Sequence, residues 1–181
     1  MNQIGIFDET DALQRLSALA GSQAIIVTDV GVHQILTCRY VAREEPRTLI
    51  ASGGLGAMGF GLPAAGGAQV GRPDSVVVCV TGDGGFRMSA PELATLAGYN
   101  LPIVVIIIND NGLGMVRRLQ DELYGRRCAT DFPGDVDYVK LAESYGVEAA
   151  RLTQAKDTDA ALARALGSRR PYVIDCAVSY D

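Results

Sequence analysis

The 181-residue chain predicts an α/β fold: three layers, doubly wound, with a mostly parallel sheet and helices on both faces. Two observations carry this. Runs such as "SVVVCV" (75–80) and "PIVVIII" (102–108) are apolar at nearly every position rather than at alternate ones, as strands buried on both faces must be. Segments of helical character separate these runs, and no linker divides the chain. The length, with an apolar content of 48%, suffices for one hydrophobic core, so residues 1–181 read as a single domain.

Element by element, "QAIIVTDVG" (23–31) reads as a buried strand entering a loop, and "RTLIAS" (47–52) as a weaker strand. "FGLPAAGGAQVG" (60–71) is a small-residue helix that can approach a neighbour closely. "SVVVCVTGDG" (75–84) is a strand running into a turn. "SAPELATLAGY" (89–99) is a helix with Ser89 as N-cap, Pro91 in the first turn and Glu92 three residues after the serine. "LPIVVIIIND" (101–110) is the strongest strand. Helices follow at 113–123, 138–145 and 158–166, and short strands at 148–152 and 172–177. In such sheets ligands bind beyond the carboxyl ends of strands, which directs attention to the loops after Thr28, Ser52, Val80 and Ile108.

The formal net charge is −5 and no long Lys/Arg run exists, which argues against nucleic acid or an anionic membrane as partner. Apolar runs such as 103–108 are too short to span a bilayer, and "MNQIGIFDET" has no signal-peptide pattern. Cys38, Cys79, Cys128 and Cys176 lie far apart with no C-x-x-C, and the single histidine makes a zinc site a poor expectation. Cys79 and Cys176 sit in apolar runs as small core residues. The chain reads as a reduced, cytoplasmic protein.

Residues 54–59 match G-x-G-x-x-G, the dinucleotide fingerprint. That reading also needs an acid about 20 positions on, at the end of the next strand, to hold ribose hydroxyls. Asp74 precedes the strand, and Asp83 lies 29 positions past Gly54 inside a glycine turn. The dinucleotide reading therefore fails. Small residues for close helix–sheet packing account for Gly66, Gly67 and Ala68, but glycines at 53, 54, 56, 59 and 61 suggest backbone held against a ligand.

"TGDGGF" (81–86) and "INDNGLGMV" (108–116) follow the two strongest strands. If those strands are neighbours, Asp83 and Asp110 converge. Two carboxylates helped by a loop carbonyl suit Mg²⁺ on a ligand's phosphates, and the glycines around Asp83 free backbone N–H groups for phosphate oxygens. The bland alternative is that both aspartates only form turns or cap helices.

"GDGGF" followed by "NDN" resembles the signature of thiamine diphosphate enzymes. "DVGVHQ", "SGGLGAMGFGLPAA", "GDGGFRMSAPELAT" and "LGMVRRLQDELY" resemble successive blocks of the C-terminal, cofactor-binding domain of acetohydroxyacid (acetolactate) synthase, and "RRPYVIDCAV" fits its last strand. The blocks span roughly 25–145. The resemblance implies the thiamine diphosphate-binding fold, with thiamine diphosphate and Mg²⁺ as cofactors. It implies that Gly56 offers a carbonyl to the aminopyrimidine. Met58 offers its N–H and is the apolar wedge that bends the cofactor, the one role assigned to catalysis. Asp83 and Asp110 become metal ligands with the Gly112 carbonyl. Gly82, Gly84, Gly85, Leu113, Gly114 and Met115 line the diphosphate and thiazolium region, and Val30, Gly31 and His33 contact the diphosphate from the other side.

The chain departs from that pattern. Asp110 stands where an asparagine is usual, and Arg118 and Leu119 stand where glutamine and tryptophan are. The tryptophan shapes the acceptor pocket, so the second 2-keto acid is left open. The glutamate that activates the pyrimidine belongs to a separate pyrimidine-binding domain, so the chain alone is expected to be inactive. The implied function is decarboxylation of pyruvate and ligation to a second 2-keto acid, within a homodimer or larger assembly. The alternatives are the short subunit of a split decarboxylase acting on a sulfonated or phosphonated pyruvate, and a non-catalytic cofactor-binding module.

Overall fold

The two most apolar runs become the centre of the sheet. The computed structural model describes residues 9–178. Strand β3 (Val77–Gly82) pairs in parallel with β4 (Ile103–Asn109), in register from Val77↔Ile103 to Gly82↔Ile108, and every residue of both is buried. Strand β1 (Ile25–Thr28) lies on the other side of β3, with β2 (Leu49–Ala51) beyond it. Strand β6 (Tyr172–Ala177) flanks β4, and β5 (Glu148–Leu152) completes the order β2-β1-β3-β4-β6-β5. All pairings are parallel, sharper than the mostly parallel sheet expected.

Side chains alternate across this sheet into two cores. Val78, Val80, Val104, Ile106 and Ile108 pack with α1 (Glu9–Ala20), α2 (Val32–Tyr40) and α8 (Thr158–Gly167). Val77, Cys79, Ile103, Val105 and Ile107 face α3 (Gly61–Gly71), α4 (Asp83–Ser89), α5 (Glu92–Gly98) and α7 (Tyr138–Ser144). Among the residues of α6 (Gly114–Tyr124), by contrast, only Arg117 is buried. Among the described residues no helix is long and apolar enough to cross a membrane. Cys79 and Cys176 are buried and unbridged, and burial pushes both thiols up. Cys38 and Cys128 are exposed and free.

The helices differ from expectation in two ways. Helices α1 and α2 were not anticipated. The stripe of α1 is short, Ala12, Leu13 and Leu16, and the buried residues of α2 are His33 and Thr37, which give no apolar period. The glycine turn expected at 82–85 is instead the start of α4, whose first residue is Asp83. Ser89 consequently ends a helix rather than capping one. Its hydroxyl donates to the Gly85 carbonyl at 3.4 Å, and α5 begins at Glu92 behind Pro91. Proline has no N–H to continue α4, so the chain breaks there and restarts.

Candidate cofactor site

The chain leaves β1 towards β2 on one side and leaves β3 towards β4 on the other. This reversal opens a crevice at the carboxyl ends of β1 and β3, the place where open α/β sheets bind ligands. A cleft of about 440 Å³, partly open to solvent, occupies it. Val30, Gly31, His33, Met58, Gly82, Asp83, Gly84, Gly85, Asp110, Gly112, Leu113, Gly114 and Met115 all line this cleft, joined by Val32, Ile108 and Val116. Of the residues that the resemblance assigns to the cofactor or the metal, Gly56 alone is absent from the lining. It sits on the exposed loop after β2 with φ of 62°, its N–H donating to the Ser52 carbonyl at 3.1 Å. Leu119 lies half exposed on α6, also outside the cleft.

Asp83 and Asp110 meet because their strands are neighbours in register, each aspartate following its strand's last residue. The Gly112 N–H donates to Asp83 Oδ2 at 3.1 Å, and Arg117 pairs with Asp110 Oδ2 at 3.1 Å. Burial raises the pKa of both carboxyls. For Asp83 the charge of Asp110 and a hydrogen bond with it add to the rise, and the result is about 7. Arg117 opposes the rise at Asp110. The shared proton therefore belongs on Asp83, because the guanidinium stabilises charge on Asp110.

His33 closes the opposite wall. Burial lowers its pKa to about 4, although a hydrogen bond to the Asp29 backbone carbonyl partly offsets this, so the ring is neutral at ordinary pH. Its Nε2 is buried and has no hydrogen-bond partner among the described residues. Close approach explains Gly85, where a Cβ would stand 2.6 Å from Asp29 Oδ2. Gly114 is similar, since a Cβ there would run into the Asp110 carboxylate.

Asp29 organises the crevice and was not singled out from the sequence. It is wholly buried one residue past β1. Its carboxylate accepts from Val30 N–H at 2.7 Å, from Gly59 N–H at 3.0–3.1 Å and from the Thr81 hydroxyl at 3.3 Å. One side chain thus ties the β1 loop to the glycine loop and to β3. Its partners lie 30 and 52 residues away, so only its place in "DVGVHQ" hinted at a role.

The donor set fits a metal–diphosphate group. No side chain caps α2, α4 or α6 at its N-terminus, and residues at all three starts line the cleft. Uncapped helix starts favour an anion. The carboxylate pair favours a cation in the same space. Among the described residues no cluster of three or more His, Cys, Asp or Glu could hold a metal. Two carboxylates would need further oxygen ligands, which a diphosphate and the Gly112 carbonyl could supply.

Comparison with known proteins bears on the family. The family model for the C-terminal TPP-binding domain of thiamine pyrophosphate enzymes matches residues 29–176. The probable acetolactate synthase large subunit of Methanococcus aeolicus is 47% identical over 155 residues, covering 85% of this chain and 26% of the relative. Chloroplastic acetolactate synthase 2 of Nicotiana tabacum is 44% identical over 178 residues, covering 94% and 27%. Among solved structures, the thiamine diphosphate-dependent 4-hydroxybenzoylformate decarboxylase of Rhodococcus jostii RHA1 superposes with a TM-score of 0.90 at 30% identity, covering 100% of this chain and 34% of that one. The chain spans about a quarter to a third of the length of these relatives. These matches mean that the chain belongs to the family of C-terminal thiamine pyrophosphate-binding domains of thiamine pyrophosphate enzymes.

Proposed function

We propose that this chain is the diphosphate- and Mg²⁺-anchoring domain of an acetolactate synthase-type enzyme, and that it works with a separate pyrimidine-binding domain. The observation that carries the reading is the Asp83/Asp110 pair, Asp83 buried and the Asp110 side chain 7% exposed, in a cleft shared with three uncapped helix starts. When bound, the cofactor supplies the electron sink for decarboxylating a 2-keto acid and joining the remaining two-carbon unit to a second one.

The chain's residues then have distinct tasks. Asp83, Asp110 and the Gly112 carbonyl would hold Mg²⁺, with Asp83 giving up its proton as the cation arrives. Backbone N–H groups at Gly84, Gly85, Gly114 and Met115 would face phosphate oxygens. His33 Nε2 would meet the diphosphate from the β1 side, and a proton taken up there would turn the lone acceptor into a donor. Met58 lies within van der Waals reach of Gly84, where a Cβ would stand 3.3 Å from its Cε, and supplies the apolar wedge over the cleft. By the resemblance, the glutamate that activates the pyrimidine belongs to another domain, which is why a partner domain enters the proposal.

Assembly is supported by a groove between α3 and α5 lined by Pro63, Gly66, Gly67 and Leu101, with Val70 and Tyr99 largely exposed. A second reading, decarboxylation without ligation, draws on the likeness to a decarboxylase and on Leu119 standing in place of tryptophan. Pyruvate turnover separates these readings. The chain alone should form no product, and adding the N-terminal remainder of a synthase large subunit should yield acetolactate. Acetolactate from the chain alone contradicts the need for a partner, and acetaldehyde without acetolactate favours the second reading.

A further inference from the structure

The proposed chemistry leaves Asp175 unused, and packing does not explain it. It is wholly buried on β6, on the face that Val173 and Ile107 fill with apolar carbon, where a valine would serve. Burial raises its pKa, although the Asn109 hydrogen bond and the Arg151 charge oppose the rise. Its Oδ2 makes no hydrogen bond among the described residues; Arg151 Nε, on the edge strand β5, stands 3.6 Å away on a side chain 46% exposed. Its Oδ1 accepts from the Asn109 side-chain amide at 2.9 Å, across the β4–β6 pairing.

That bond decides which way the amide faces. An amide has a donor end and an acceptor end, and a carboxylate takes the donor. Asn109 Oδ1 is left for the Asn111 N–H, which donates to it at 3.2 Å. Asn111 has φ of 52°, a left-handed conformation that residues other than glycine keep only where neighbours hold it. Its carbonyl accepts from Phe132 N–H at 3.0 Å. Asp110 and Gly112 flank Asn111, and the Gly112 N–H donates to Asp83 Oδ2 at 3.1 Å. A chain of contacts thus runs from Asp175 to the cation site.

We propose that Asp175 is a positioning residue of the cation site: it holds the Asn109 amide in the one orientation that pins the 110–112 loop. This rests on the reading of Asp83, Asp110 and the Gly112 carbonyl as cation ligands. It acts through its acceptor oxygen and not through its charge. A leucine at 175 keeps the volume and suits the apolar face, but it frees the amide to turn. An asparagine at 175 keeps an acceptor oxygen for Asn109 and loses only the charge, and the half-exposed Arg151 can turn to water.

The test combines two readouts on the 181-residue chain at pH 7.5, with thermal melts to verify folding. One is Mn²⁺ uptake at constant thiamine diphosphate, followed by the ion's electron paramagnetic resonance. The other is hydrogen exchange of the Asn111 N–H by NMR without metal. Asp175→Leu should melt within about 5 °C of the unsubstituted chain, because an apolar side chain replaces a buried charge. It should nevertheless weaken Mn²⁺ binding about fivefold and speed Asn111 exchange by a similar factor. Asp175→Asn should stay within about twofold on both readouts. Asp175→Val replaces the leucine if that variant does not fold, and failure of both to fold makes the role structural and overturns the proposal. Unchanged Mn²⁺ binding or unchanged Asn111 exchange in Asp175→Leu overturns it, as does an Asp175→Asn variant as weak as Asp175→Leu. No Mn²⁺ uptake by the unsubstituted chain overturns the cation-site reading instead, and the positioning role falls with it.

Discussion

The two glycine-rich regions of the cleft differ in what surrounds them. At the ends of β3 and β4, added Cβ atoms at Gly82, Gly84, Gly85, Gly112 and Gly114 would press on named atoms: His33, Leu113, Asp29, Arg117 or Asp110. On the loop after β2, Cβ atoms at Gly53, Gly54 and Gly56 would meet nothing within 4 Å, and Leu55 between them is 96% exposed. The first region is complete within this chain. The second is open to solvent, and under the proposed function a partner domain would complete it. Under the proposed function these are the diphosphate end and the pyrimidine end of one cofactor, and the contrast is what is expected if only the first is built from this chain alone.

The sharpest way to break that contrast is Gly112→Ala. The new Cβ would stand 2.6 Å from the Thr130 backbone carbonyl and collide with Arg117, so the chain should lose about 3 kcal/mol in denaturant unfolding. A loss under about 0.5 kcal/mol, the usual spread for a neutral surface site, means the region is looser than described.

Asp83→Asn comes next. A carboxyl raised in the folded state takes up a proton at higher pH than the unfolded chain does. Its stabilising contribution is therefore present at acid pH and lost as pH rises from about 4 to about 7. Without metal, Asp83→Asn should flatten that decline and stabilise the chain at pH 7.5 by roughly 1–2 kcal/mol. Destabilisation in the absence of metal would contradict the assignment of the proton to Asp83.

His33 has the opposite sign. Its folded pKa is depressed, so stability should fall as pH drops from about 6.5 towards 4, where the unfolded chain takes the proton first. It is the only histidine, so its ring protons are unambiguous in proton NMR. They should titrate near pH 4 in the free chain and at higher pH once the metal–diphosphate group is bound. Titration near the unperturbed 6.5 would mean the ring is not buried as described.

The smallest effect belongs to the open loop. Gly54→Ala should change stability by less than about 0.5 kcal/mol, because nothing lies near the added methyl. A large loss there would mean that the loop packs against this chain after all.

These two regions also differ in how far the sequence discloses them. The β3 and β4 runs are legible because strands covered on both faces need apolar residues throughout, and the convergence of Asp83 and Asp110 follows once those strands are neighbours. Helix α2 is not legible, because its buried residues are polar. Helix α4 is hidden by Gly84 and Gly85, which disfavour helix locally and are accepted because Asp29 and Leu113 crowd them. Asp29 and Arg117 escape for another reason. Their partners are fixed by long-range contacts, and an arginine on an otherwise solvated helix reads as surface until Asp110 and Asp131 are seen around it.

The most direct measurement is calorimetric titration of the chain with thiamine diphosphate, inorganic pyrophosphate and thiamine, each with and without Mg²⁺. If the diphosphate end is built within this chain, thiamine diphosphate and pyrophosphate should both bind in a Mg²⁺-dependent way, Asp83→Asn should weaken both, and thiamine should not bind. Binding of thiamine as tight as that of its diphosphate, or binding indifferent to Mg²⁺ and to Asp83→Asn, would contradict it.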